Sequence, residues 1–85
     1  MATETVYIFQ PFVKAKRGAR IIPGQAQQMP SETTARRALE RLNDKTVGGV
    51  VLSTPVDKLA GEWGEPRILA QAGEIPDAFL EAIGG

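Results

Sequence analysis

A chain of 85 residues with neither cysteine nor histidine makes one small domain, residues 1–85, held by packing rather than by disulfides. It excludes zinc, haem and iron–sulfur sites, which take thiolate or imidazole ligands. Ten basic residues balance ten acidic ones, yet residues 1–45 hold eight bases against four acids (+4) and residues 46–85 two against six (−4).

The first element in chain order is a strand over residues 5–14, rich in β-branched and aromatic side chains. Alternation puts Val6, Ile8, Gln10 and Phe12 on one face and Tyr7, Phe9 and Val13 on the other, so this strand is expected at the centre of a sheet. Pro11 cannot donate a ladder hydrogen bond, which calls for a bulge or a sheet edge there. A turn at residues 16–19 follows, with Gly18 at positive φ. Arg20, Ile21 and Ile22 start a second strand, broken by Pro23-Gly24 and extended weakly over residues 25–29.

Ser31 is the clearest local signal, an N-cap before an amphipathic helix over residues 32–42. Glu32 complements the helix dipole. Ala35, Ala38, Leu39 and Leu42 form its apolar stripe, Arg36 is spaced to pair with Glu40, and Asn43 marks the stop. Residues 47–53 read as a third strand, whose Gly48-Gly49 implies close backbone approach or a bulge. A loop or a single helical turn spans residues 55–64, and a fourth strand covers residues 67–72, ended by Gly73. Residues 76–83 suit a short helix, docked through Ile75, Phe79 and Ile83.

The expected fold is therefore α+β: a small antiparallel sheet of two hairpins, ββαββ, with one amphipathic helix on one face and a short C-terminal helical turn. The expected core is Val6, Ile8, Ile21, Ala35, Leu39, Leu42, Val51, Leu52 and Ile68. Glu4 and the absence of any base in the first ten residues do not fit a signal peptide. The longest apolar stretch, residues 47–52, falls far short of the ~20 residues of a membrane helix. A cytoplasmic setting is the expectation.

Catalytic signals are sparse. The commonest general base is missing. Ser53, Thr54 and Lys58 have no diagnostic spacing for a Ser–Lys pair, and Glu62 and Glu65 flank Trp63 in what reads as a solvated loop. No glycine pattern matches a phosphate-cradling loop, and no carboxylate cluster matches a Ca²⁺ loop. The reading is non-enzymatic, without cofactor and without metal. Two binding features stand out. Lys14, Lys16, Arg17, Arg20, Arg36, Arg37 and Arg41 can track a phosphate backbone if they converge; otherwise they form ordinary solvated surface. Trp63, in a glycine-rich loop, is either a protein-binding anchor or a ring folded back over the core. Tyr7, Phe9 and Phe12 could stack on bases, but a central strand favours core packing for them.

Residues 7–12 (YIFQPF), Pro23-Gly24, the Ala-Arg-Arg-Ala segment at 35–38, residues 50–53 (VVLS), 64–70 (GEPRILA) and 73–76 (GEIP) resemble a group of short uncharacterised bacterial proteins. The resemblance covers nearly the whole chain and implies no activity. The layout of a hairpin before an Ala-Arg helix is also similar to the arm-binding domain of phage-type integrases, from which the second hairpin departs. The function expected from sequence is a small binding or adaptor domain. A nucleic-acid-binding module and a homo-oligomeric structural part joined along sheet edges are the alternatives.

Overall fold

The computed structural model describes residues 3–83 apart from Arg17 and Ala19. The elements are β1 (Thr3–Lys14), β2 (Ile21–Pro23), β3 (Gln27–Met29), α1 (Glu32–Ala38) continued by a 3₁₀ turn (Leu39–Arg41), β4 (Thr46–Asp57), β5 (Glu62–Trp63), β6 (Arg67–Gly73) and α2 (Asp77–Ala82). The fold is α+β with an antiparallel sheet. The simple ββαββ order needs correcting, because each outer strand is split in two, giving six strands. β1 and β4 pair along nearly their whole length at the centre. β2 and β3 both pair with β1 on one side, and β5 and β6 both pair with β4 on the other.

Two prolines explain the splitting. In a strand, the N–H and C=O of one residue point to the same side. Gly24 N–H donates to Pro11 O at 2.9 Å and Gly64 N–H donates to Pro55 O at 2.7 Å. Both prolines therefore turn their missing donor outward, and the β1–β4 ladder loses nothing. Close to Pro11 the β1–β4 register slips by one, between Phe12 and Val13, where Val47 is left without a β1 partner. A second irregularity lies on the outer side of Pro11, where the pairings of β2 and β3 with β1 differ by one residue in register. Gln10 then supplies the donor that Pro11 lacks: its Nε2 donates to Gly24 O and to Pro11 O, each at 2.9 Å. Pro55 likewise sits inside β4, not in a loop, and β4 runs on to Asp57. There Asp57 Oδ1 accepts from the N–H groups of Leu59 and Ala60 and closes the turn.

Each face of the sheet carries its own helix. On one face Phe9, Val51 and Ala35 form a buried cluster with Leu39, Leu69 and Ala70 packed on it. On the other, Phe12, Val50 and Leu52 are buried beneath Ile75, Phe79 and Ile83 of the α2 segment. The Phe12 and Phe79 rings meet edge to face, centroids 4.9 Å apart. The C-terminal turn is thus a second helical layer. Gly49 makes room on the α1 face, since a Cβ there would lie 2.5 Å from the Phe9 ring. Gly48 and Gly73 sit where the backbones of β4 and the end of β6 nearly touch, and a Cβ on Gly48 would lie 2.0 Å from Glu74 O.

Of the expected core, Val6, Ala35, Val51 and Leu52 are buried, while Ile8, Ile21, Leu39, Leu42 and Ile68 are half-buried. Phe9, Phe12, Val50 and Val56 are buried hydrophobic residues outside the expected core, and Thr54 is buried with them. Ser31 caps α1 as expected, its Oγ accepting from Thr34 N–H at 3.2 Å. The α-helix gives way to the 3₁₀ turn after Ala38, earlier than the expected end at residue 42.

Phe12 is fully buried, so Phe12→Ala is expected to lower unfolding free energy by about 3–5 kcal/mol. Leu39→Ala, at a half-buried site, is expected to cost no more than about 2 kcal/mol. Urea unfolding of both variants checks the order, and an equal or reversed cost would contradict this packing.

Candidate functional site

The seven basic residues do not share one role. Arg36 is held by structure. Its Nε donates to Glu32 Oε2 at 2.7 Å, rather than pairing with Glu40, and its Nη2 reaches Leu69 O on β6 at 3.2 Å. The register of β6 against β4 slips by one beside Leu69, and Arg36 satisfies a carbonyl at that irregularity while tying α1 to the sheet edge. Arg37 and Arg41 are exposed further round the helix. Lys14, Lys16 and Arg20 are exposed at the tip of the β1–β2 hairpin, where Ala15 N–H donates to Arg20 O and Lys14 N–H to Lys45 O. Lys45 therefore joins this cluster, a neighbour that its place after the helix concealed in the sequence. Arg17 lies outside the described residues.

α1 packs over β1, β3 and β4, and the sheet beside it, toward β2 and the Thr46 end of β4, is left open. The result is an open groove of about 320 Å³, floored by Pro11, Val13 and Gly24 and walled by Met29, Ala38 and Arg41. A second hollow of about 220 Å³ continues it past Met29, Ala38 and Arg41 to Arg37. Ile22, 39% exposed, stands cross-strand from Val13 on the same side. The groove is an apolar floor with guanidinium groups on its rim. It suits an apolar side chain accompanied by carboxylates better than it suits a small reactive substrate.

Trp63 lies at the other end of the sheet. It pairs with Val56 in the two-residue strand β5 and is 61% exposed; it does not fold back over the core. Leu59, in the preceding turn, is 88% exposed. Pro55, Asp57 and Glu62 line a shallow hollow with Trp63. Lys58 forms an ion pair with Glu4 at 3.0 Å, leaving Asp57, Glu62 and Glu65 as an acidic surround to the two apolar side chains. Tyr7, Phe9 and Phe12 contribute to the two cores, so they offer no open stacking platform. Among the described residues no group of three or more Asp and Glu side chains is placed to hold a metal ion, and no helix is long and apolar enough to cross a membrane.

No family model, curated protein or solved structure matches this chain.

The different roles of the arginines predict different mutant behaviour. Arg36→Ala is expected to lower stability by roughly 0.5–1 kcal/mol through the lost contacts to Glu32 and Leu69 O, both partly solvated. Arg37→Ala is expected to stay within about ±0.5 kcal/mol, as surface changes do. Thermal unfolding of the two variants separates them.

Proposed function

We propose that this chain is a small non-enzymatic binding domain, cytoplasmic, whose partner is a protein docking on Leu59 and Trp63. The observation that supports this most directly is that the two most exposed large apolar side chains in the described residues share one hairpin end. A tryptophan held in solvent gains nothing for the fold, yet desolvated in a partner it becomes a dominant contact. The grooves add to the reading, since their polar lining consists of guanidinium, amide and hydroxyl groups with no paired nucleophile and base.

Trp63 is the only tryptophan, so its fluorescence reports this surface alone. Its emission in dilute solution is expected at the wavelength of a solvated indole, with full access to acrylamide. Photo-crosslinking from Leu59→p-benzoylphenylalanine in cells is expected to give a protein adduct that Trp63→Ala removes. A blue emission in dilute solution, or the same adduct without Trp63, would overturn the reading.

A second reading, binding of nucleic acid, has its own support in the convergence of Lys14, Lys16, Arg20 and Lys45 at one tip. It requires a mobility shift of duplex or single-stranded DNA at about 50 mM salt, with affinity falling steeply as salt rises. Lys16→Ala would then flatten the salt slope by about one unit. The zero net charge of the chain gives no long-range attraction to a polyanion, and the expected result is no shift at any salt concentration.

A further inference from the structure

We propose that the partner of the Trp63 tip is a second copy of this chain, with the Leu59–Trp63 end of one molecule seated in the apolar groove of the next. The proposal rests on the reading of Trp63 as a protein-docking residue and adds the identity of the surface that receives it.

Four observations carry it. The first is distance. Residue 3 of β1 pairs with Asp57 and residue 13 with Thr46. Trp63 stands opposite Val56, and so level with Glu4, whereas the groove runs from Phe9 to Val13, about 17–30 Å further along the strand in a molecule 47 Å long. One copy cannot fill its own groove.

The second is charge. The groove end holds Lys14, Lys16, Arg20, Arg37, Arg41 and Lys45 against Glu40, Asp44 and Glu74. The Trp63 end holds Glu4, Asp57, Glu62 and Glu65 against Lys58 and Arg67. Contact between unlike ends satisfies both, whereas contact between like ends opposes like charges. The overall neutrality of the chain is what two matched ends require.

The third is fit. The groove has an apolar floor with Arg37 and Arg41 at its rim, and the tip offers an indole with Glu62 beside it and Glu65 two residues beyond. A volume of about 320 Å³ is near the lower bound of ligand pockets, roughly 300–1,000 Å³, and takes one large side chain.

The fourth is the state of the sheet edges. Register slips interrupt β2–β3 and β6, which works against joining copies strand to strand. The remaining association is heterologous, tip to groove. Such contacts build rings or open chains rather than two-fold dimers.

The test uses the whole chain and two exposed-site variants, Trp63→Ala and Arg41→Glu, whose folding is checked by circular dichroism. For the wild type, sedimentation is expected to show mass rising with concentration between about 1 µM and about 1 mM, the range of weak protein contacts. Trp63 emission is expected to move to the blue in parallel. Each variant alone is expected to stay monomeric. Their equimolar mixture is expected to form a 1:1 heterodimer and nothing larger, because only Trp63→Ala keeps a working groove and only Arg41→Glu keeps a working tip.

A wild type that is monomeric at about 1 mM, or a mixture that does not associate, overturns self-docking. A solvated Trp63 emission together with that result leaves the protein-docking reading standing with a foreign partner. A blue emission at the lowest concentration overturns both.

Discussion

The sheet depends on where two prolines point their missing N–H groups. β1 and β4 are each 12 residues long, and a proline inside a central strand normally costs a ladder bond. Here Pro11 and Pro55 both face outward, so the loss falls on the outer strands, and β1 and β4 stay paired at both prolines and slip register only between Phe12 and Val13. Opposite each proline stands a glycine whose N–H meets the proline carbonyl. At Gly64 no other residue fits without movement, since a Cβ would lie 2.5 Å from Pro55 Cγ. Gln10 completes the arrangement at Pro11 by lending a side-chain amide to the carbonyl that a backbone N–H would otherwise serve. The outer strands are then short and bent, which blunts both edges against further pairing.

This constraint explains much of what was legible in the sequence and what was not. Alternation in residues 6–13 correctly divided the two faces of β1, because period two survives wherever the backbone stays extended. Ser31 was legible as a cap because capping is local, and Gly48-Gly49 as a close approach because only glycine tolerates one. The split of the outer strands was not legible. It depends on which side of a central strand the proline nitrogen faces, and register across the sheet decides that. The loop assigned to residues 55–64 failed for the same reason: Pro55 reads as a breaker until its donor side is known.

Burial was harder to read than patterning. The expected core drew on both faces, Ala35 and Val51 on one and Ile8 and Leu52 on the other, yet passed over Phe9 and Phe12, which are buried on opposite faces. The spacing of Ile75, Phe79 and Ile83 showed that the last helix docks, but periodicity within a helix carries no information about the face of the sheet it reaches. Arg36 illustrates the limit for the candidate site. Its i+4 spacing to Glu40 is as good as its i−4 spacing to Glu32, and only the irregular carbonyl at Leu69 shows why one geometry is kept.

Trp63 is exposed because the sheet outlasts its helices. Twelve residues of strand span about 40 Å, whereas the seven residues of α1 span only about 10 Å along their axis. Neither helix extends over the whole sheet, and its two ends are left with different surfaces. At one end the uncovered part of the α1 face becomes a groove; at the other, the β4–β5 turn holds Leu59 and Trp63 in solvent. Charge follows the same division of ends, because Lys14, Lys16, Arg20 and Lys45 lie where β1 leaves the sheet and β4 enters it, and Glu4, Asp57 and Glu62 lie at the opposite end. In a shorter sheet the helices would have covered both features, and the opposed charges would have met within one molecule. The length of β1 and β4, permitted by prolines that leave their ladder intact, is what separates groove from tip and makes both surfaces available for contact.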